Sequence, residues 1–366
     1  MEKNLRKCVL KICPYVPGKP IEEVERELGI KEAIKLASNE NPIGPSPKVL
    51  KAIIDYLPKI NRYPDDEGFY LKKVIAKKFG VKQENIILGC GSDEIMELIV
   101  GAFVEAGKEV LFGAPSFVMY TIATQFIGGK PVAVPLKNNT YDLETMAKAV
   151  TKKTKVVFIA NPNNPTGTIV TDAQVRKFLK NIRKDIVVVL DEAYAEYVES
   201  GDYPKSLKLI KEYPNCIVLR TFSKIYSLAG LRMGFGLADT RLISCLARVR
   251  PPFNTSSIAQ VAAITALKET SWAKRVKAIN STEKKFLYKE LDNIGLEYVK
   301  SQANFIAIKI GKNALKFSQE LMKQGVIVRF LASFGLPEYI RVSIGIRKEN
   351  KKFVSALKKV LLKVGK

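Results

Sequence analysis

The sequence predicts an α/β protein: a large domain with a mostly parallel sheet flanked by helices, and a smaller α+β domain drawn from both termini. Three observations carry this. Short apolar runs such as Ile186-Val187-Val188-Val189-Leu190 read as strands buried on both faces. Helical stretches separate these runs over much of the chain, the alternation that a parallel sheet needs. At 366 residues the chain also exceeds the size at which a single core stops growing. The expected division is an N-terminal arm with part of the small domain (1–45), a large domain (46–258) and a C-terminal small domain (259–366).

The chain opens on a proline-dense arm, Cys13-Pro14-Tyr15-Val16-Pro17-Gly18-Lys19-Pro20. A short helix (Ile21–Leu28) and a strand (Ile34–Ala37) lead into Ser38-Asn39-Glu40-Asn41-Pro42, polar side chains beside a proline and hence a turn. Pro47 suits the first turn of a helix whose buried face is Val49, Ile53, Ile54 and Leu57. Asn61-Arg62-Tyr63-Pro64-Asp65 is a turn, and Tyr63 alone is a turn aromatic. After a helix over Phe69–Phe79, the strand Ile86–Leu88 runs into Gly89-Cys90-Gly91-Ser92-Asp93-Glu94, which opens an amphipathic helix through Ile99. Strand, glycine-rich turn and helix start together present free N–H groups and a positive dipole end to an anion. Taken alone, Ser92 or Asp93 serves equally well as an N-cap. The strand Glu109–Phe112 ends at Gly113-Ala114-Pro115-Ser116-Phe117, where an aromatic such as Phe117 is ordinarily core.

A strand at Val132–Pro135, a helix near Leu143–Val150 and a strand at Lys155–Ala160 continue the alternation. The loop Asn161-Pro162-Asn163-Asn164-Pro165-Thr166-Gly167 follows. Asp191-Glu192-Ala193-Tyr194 closes the most apolar strand, and a carboxylate at a buried strand tip is costly without a partner. A helix cap or surface ion pair is the plain alternative for Asp191. Beyond the strand at Met233–Ala238 and a helix from Asp239 through Val249, Arg250-Pro251-Pro252-Phe253-Asn254 begins the crossing into the second domain. There, helices near 258–268 and 272–294 precede a strand (Phe305–Ile310), a helix (Ala314–Gln324), strands at Val326–Arg329 and Tyr339–Gly345, and a basic amphipathic helix. Arg341 lies on an otherwise apolar strand, where its planar fork calls for a carboxylate or phosphate. An interior ion pair remains the alternative for Arg341, and more so for Arg329.

Composition narrows the function. Formal net charge is +24, yet the lysines come as dispersed pairs such as Lys72-Lys73 and Lys284-Lys285, a weak footprint for nucleic acid and a good one for a solvated surface. Histidine is absent, which removes Ser-His-Asp and Cys-His catalysis and His-ligated metals. Five scattered cysteines form no C-x-x-C pair, so neither a disulfide nor a zinc framework is expected, and no metal. No run approaches the ~18 apolar residues of a membrane span, and no signal sequence opens the chain, so a cytoplasmic protein is expected.

The decisive stretch is Thr221–Phe235, T-F-S-K-I-Y-S-L-A-G-L-R-M-G-F. It follows the buried strand Cys216–Leu219, so Ser223 and Lys224 sit at the strand end where open α/β sheets place ligand chemistry. On residue type alone Lys224 is one surface lysine among many. Its neighbours change that: hydroxyl, amine and the Arg232 guanidinium lie between Gly230 and Gly234, small residues that admit a ligand. Such a set binds a phosphate and presents an amine to an aldehyde, the needs of a phosphorylated aldehyde cofactor.

S-K-x-x-x-L-A-G-L-R-x-G resembles the lysine segment of the fold-type I aminotransferases that use pyridoxal 5′-phosphate. Within them the resemblance, over nearly the whole chain, is to the histidinol-phosphate aminotransferase family. It implies that Lys224 carries the cofactor and that Asp191 holds its pyridinium proton. Asn164 and Tyr194 would share its phenolic oxygen, and Phe117 would stack on its ring where many relatives have tyrosine. Gly91, Ser92, Asp93, Ser223 and Arg232 would cradle the phosphate, with Tyr63 reaching in from the neighbouring subunit of a homodimer. Tyr15 and Asn39 are implied substrate contacts, Arg341 the holder of the substrate carboxylate and Arg329 a helper at its distal phosphate. The implied reaction moves an amino group between L-histidinol phosphate and 2-oxoglutarate, in histidine biosynthesis. Aromatic aminotransferases and threonine-phosphate decarboxylases share nearly every cofactor residue; the latter often have proline where this chain has Ala229. A basic nucleic-acid-binding module would explain the charge but none of the strand-end motifs.

Overall fold

A computed structural model describes residues 4–14 and 17–364. Its strands are β1 (Ile34–Leu36), β2 (Ile86–Cys90), β3 (Glu109–Ala114), β4 (Lys130–Pro135), β5 (Thr154–Ala160), β6 (Val187–Asp191), β7 (Cys216–Thr221), β8 (Met233–Ala238), β9 (Tyr298–Val299), β10 (Phe305–Lys309), β11 (Val326–Phe330) and β12 (Tyr339–Ser343). Seven of them form one sheet in the order β2-β8-β7-β6-β5-β3-β4.

Strands β4, β3, β5, β6 and β7 run parallel, as their apolar character predicts. β8 is the exception, antiparallel to both β7 and β2. The reason is chain length. Only residues 222–232 join β7 to β8, and they hold a single 3₁₀ turn, Ala229–Leu231. A parallel return needs a crossover of a dozen residues or more, usually a helix. Because β8 is reversed, β2 points the same way as β3, β5, β6 and β7, and their C-terminal ends share one edge. The start of β8 lies at that edge too.

β5 and β6 are buried along nearly their whole length, and burying a Val, Leu or Ile side chain contributes about 1.5–3 kcal/mol. Helices Gly91–Phe103, Met119–Phe126, Asp172–Asn181 and Ser206–Glu212 supply the flanking layers. The last three, and the two-residue β9, extend the alternation that the sequence alone outlines. Asp172–Asn181 carries its own signal, a capping box between Thr171 and Gln174. Neither Ser92 nor Asp93 caps Gly91–Phe103: the N-cap position is Cys90, and Glu94 accepts its N–H at 2.7 Å. The first-turn amides of that helix have no intrahelical acceptor, and they face the shared strand edge.

The second sheet has the order β1-β11-β12-β10-β9, with β1 parallel to β11 and the other pairs antiparallel. β1 comes from the N-terminal region, so both ends of the chain build this sheet. Phe317, Leu321, Phe353 and Leu357 from helices Ala314–Lys323 and Arg347–Val364 form its core. Among the described residues no helix is long and apolar enough to cross a membrane.

Candidate active site

A cavity of about 390 Å³ opens at the shared strand edge. Asn39, Ser92, Asp93, Phe117, Asn164, Asp191, Tyr194, Ser223, Lys224, Arg232 and Arg341 all line it. Residues from 39 to 341 meet there because six strands of the large sheet end at that edge and β12 faces it.

Asp191 forms the floor. It ends β6, is 6% exposed, accepts the Tyr120 hydroxyl at 2.7 Å on Oδ2, and accepts the Ala193 N–H at 3.2 Å on Oδ1. Burial pushes its carboxyl up to about 6; the two hydrogen bonds oppose this, while Asp93 and Glu192 add to it. Ionising it in place therefore costs about 3 kcal/mol, which one or two buried aliphatic neighbours offset.

The anion end is built from glycines and Arg232. Gly91 has φ +78°, and a Cβ there would lie 2.6 Å from Arg232 Nη2. A Cβ on Gly234 would lie 2.5 Å from Ser92 N. Arg232 is itself left-handed (φ 52°) and donates to Asp93 Oδ2 at 3.2 Å and Ser223 Oγ at 3.4 Å. Burial raises the Asp93 carboxyl, with Arg232 and Lys224 opposing.

Lys224 follows β7 and donates from Nζ to the Ser38 carbonyl at 3.3 Å, lying 5.6 Å from the Tyr194 ring centroid. The Tyr194 hydroxyl accepts from Asn39 Nδ2 at 2.9 Å. Asn39, left-handed at φ 55°, is tied to β12 through its N–H to Ser343 Oγ at 2.8 Å. Arg341 is 5% exposed in the middle of β12. It donates to Asn164 Oδ1 and to the Ala37 carbonyl (2.7 Å), with its guanidinium 5.3 Å from the Phe305 ring centroid.

Two expected residues stand apart from the cavity lining. Tyr63 is 82% exposed, stacked on Phe253 at 4.7 Å, and does not line the cavity. Arg329 pairs in register with Arg341 and lies over Phe334, just outside the lining. Tyr15 lies outside the described residues. Among the described residues no group of three or more His, Cys, Asp or Glu is placed to hold a metal.

The sequence model of the family "aminotransferase class I and II" matches residues 31–357. The chain belongs to the class I and II aminotransferases. Among its relatives in that family is the histidinol-phosphate aminotransferase of Moorella thermoacetica, 47% identical over 97% of this chain and 92% of the relative. That of Caldicellulosiruptor saccharolyticus is 45% identical over 97% of this chain and 99% of its own. The crystal structure of the Sinorhizobium meliloti histidinol-phosphate aminotransferase, in complex with pyridoxal-5′-phosphate, superposes with a TM-score of 0.91 at 30% identity, covering 99% of this chain and 98% of that one. The fold-type I aminotransferase architecture expected from the lysine segment is therefore the observed one, with a mostly parallel seven-stranded sheet.

Two residues that bond to the cavity lining escape sequence reasoning. Tyr120 sits three positions after Phe117, a helical spacing, but nothing local ties it to Asp191, which is 71 residues away. Ser343 follows Arg341 by two positions and so shares its face of β12, the one signal that pointed to the cavity.

Proposed function

We infer that this chain is a pyridoxal 5′-phosphate-dependent aminotransferase that moves an amino group between L-histidinol phosphate and 2-oxoglutarate, giving imidazole-acetol phosphate and L-glutamate in histidine biosynthesis. The observation that carries the reading is the convergence of Lys224, Asp191 and a glycine-lined helix start on one cavity. Likeness to histidinol-phosphate aminotransferases over nearly the full length supports the substrate pair.

The residues present fit the cofactor. Glycine at 91 and 234 lets Arg232 and β8 approach the helix start closely, so the guanidinium, the Ser92 N–H and the Ser223 hydroxyl come together as a set that fits a phosphate. A buried carboxylate facing the cavity fits a protonated ring nitrogen, and Phe117 offers an aromatic face for the ring. When bound, the cofactor supplies an aldehyde that condenses with amines and a ring that accepts electrons. Lys224 would hold it through Nζ, and the same amine would be the base placed to move a proton off the substrate carbon that bears the amino group. Asp191 keeps the ring nitrogen protonated. Asn164 and Tyr194 hold the phenolic oxygen, with Asn39 and Arg341 orienting both through the bonds described above. Arg341 binds the substrate carboxylate group in bidentate fashion when the amino acid or its keto partner occupies the site. Arg329, beside it, meets a distal anionic group, and Tyr15 and Asn39 close the mouth.

The same reading makes the protein a cytoplasmic homodimer with shared sites. Its support is Tyr63, exposed and stacked on Phe253, in a stretch of chain that also exposes Ile54, Ile60 and Tyr70. It also treats residues 1–45 and 259–366 as one small domain around the five-stranded sheet and 46–258 as the large one, supported by the separate apolar cluster of that sheet. A substrate panel tests the function: histidinol phosphate, phenylalanine, tyrosine and threonine phosphate, each with 2-oxoglutarate. Glutamate formation fastest with histidinol phosphate is expected. Preference for an aromatic amino acid, or carbon dioxide release from threonine phosphate, overturns the assignment.

A further inference from the structure

Tyr120 lies behind the site and does not line the cavity. It is fully buried, with its ring stacked on Phe158 of β5 at 4.5 Å and 9°. Its edge meets Phe117 at 5.9 Å and 87°, and its hydroxyl donates to Asp191 Oδ2 at 2.7 Å. One side chain thus touches both the floor carboxylate and the aromatic that faces the cavity.

We propose that Tyr120 is a positioning residue whose hydroxyl fixes the rotation of the Asp191 carboxylate, so that its remaining acceptor positions face the cavity, while its ring sets the tilt of Phe117. The proposal rests on the reading that Asp191 meets the ring nitrogen of pyridoxal phosphate.

The chemistry is that of a buried acid with few donors. A carboxylate has about four acceptor positions, and the Tyr120 hydroxyl and the Ala193 N–H take one on each oxygen. Both bonds favour the ionised form, which burial disfavours. The surrounding charges do not replace them. Asp93, from the helix start, and Glu192, next on the strand, both push the carboxyl up. Glu192 is itself engaged by Arg220, which also meets Glu196, and Arg232 and Lys224 bear on Asp93. The Tyr141 hydroxyl bonds Ser116 instead. Tyr120 is the donor from a neighbouring helix that holds Asp191 ionised. Burial pushes the Tyr120 hydroxyl well up, and so does Asp191; it stays a donor through the working range.

The sign follows. Loss of the hydroxyl removes a bond that lowers the Asp191 carboxyl, so its titration moves to higher pH. The ionised form that pairs with a pyridinium then survives only at higher pH, and the acid limb of cofactor binding moves up with it.

The test is pyridoxal phosphate binding to cofactor-free protein, followed by absorbance from pH 5 to 8.5, for wild type, Tyr120→Phe, Asp191→Asn and the double variant. Tyr120→Phe keeps the ring and its stack on Phe158. Its acid-side midpoint should rise by about one pH unit, weakening binding about tenfold on the acid limb. In the Asp191→Asn background the same change should shift nothing. Phe158→Leu, which loses the stack but keeps the hydroxyl, should lower the melting temperature without moving the midpoint. Equal weakening at every pH, or the same loss in the Asp191→Asn background, reduces Tyr120 to packing and overturns the proposal. Unchanged binding in Tyr120→Phe also overturns it. A wild-type protein that binds no pyridoxal phosphate at all overturns instead the functional reading beneath it.

Discussion

Gly234→Ala puts one methyl group into the close contact between β8 and the helix start of the anion cradle. The new Cβ would lie 2.5 Å from Ser92 N, 2.6 Å from Gly91 C and 3.0 Å from Gly91 O. All three neighbours are backbone, so none can swing aside as a side-chain tip would. Gly234 cannot retreat either, because β8 is paired on both sides, Gly234 opposite Gly89 and opposite Thr221. Restoring ordinary contact requires the helix start and β8 to part by roughly 1 Å, an overpacking cost of about 1–3 kcal/mol in stability. That movement also re-aims the Ser92 N–H. A charge-assisted hydrogen bond contributes about 1.5–3 kcal/mol, so cofactor affinity should fall on the order of ten- to a hundredfold. Thermal melting with and without pyridoxal phosphate and a cofactor titration measure both effects. Gly101→Ala, in the same helix with nothing within 4 Å, is the control and should be neutral or stabilise by about 0.4–1 kcal/mol. A Gly234→Ala protein that melts like wild type and binds the cofactor as tightly refutes the cradle.

Asp191→Asn should stabilise the cofactor-free protein while impairing turnover. The folded carboxyl is raised to about 6, above its unfolded value, so the native state binds the extra proton between about pH 4 and 6 and stability from this group falls as pH rises through that window. Above pH 6 the variant should gain up to about 3 kcal/mol, a gain that shrinks toward zero near pH 4, as melting curves across pH will show. Arg341→Lys keeps a charge but loses the planar fork, so KM for the amino-acid and keto-acid substrates should rise in steady-state assays. For the shared site, Tyr63→Ala and Lys224→Ala should each be impaired alone and recover about one quarter of wild-type activity when mixed and reassembled, since half the dimers are hybrid and one site in each is intact. No recovery after confirmed subunit exchange would confine Tyr63 to its own subunit.

Sequence makes the strands and their chemistry legible because both leave local marks. Buried parallel strands are short apolar runs; Asp191 is the last residue of one, and Asn164 and Lys224 lie in the loops that leave two others. The reversal of β8 is legible only through the shortness of the link from Thr221 to Met233. Helix Met119–Phe126 hides because it is only eight residues long, too short a window for its period to stand out. Contacts between distant segments leave no mark at all. Asn39 with Tyr194, Arg341 with Asn164 and Tyr120 with Asp191 arise from how the two sheets meet and how a flanking helix packs.

The central claim is that Lys224 carries the cofactor, and borohydride reduction followed by peptide mapping tests it most directly. A phosphopyridoxyl group on the peptide containing Lys224, and no stable label on the Lys224→Ala variant, is the predicted result. Label on any other lysine, at full occupancy and with Lys224 unmodified, contradicts it.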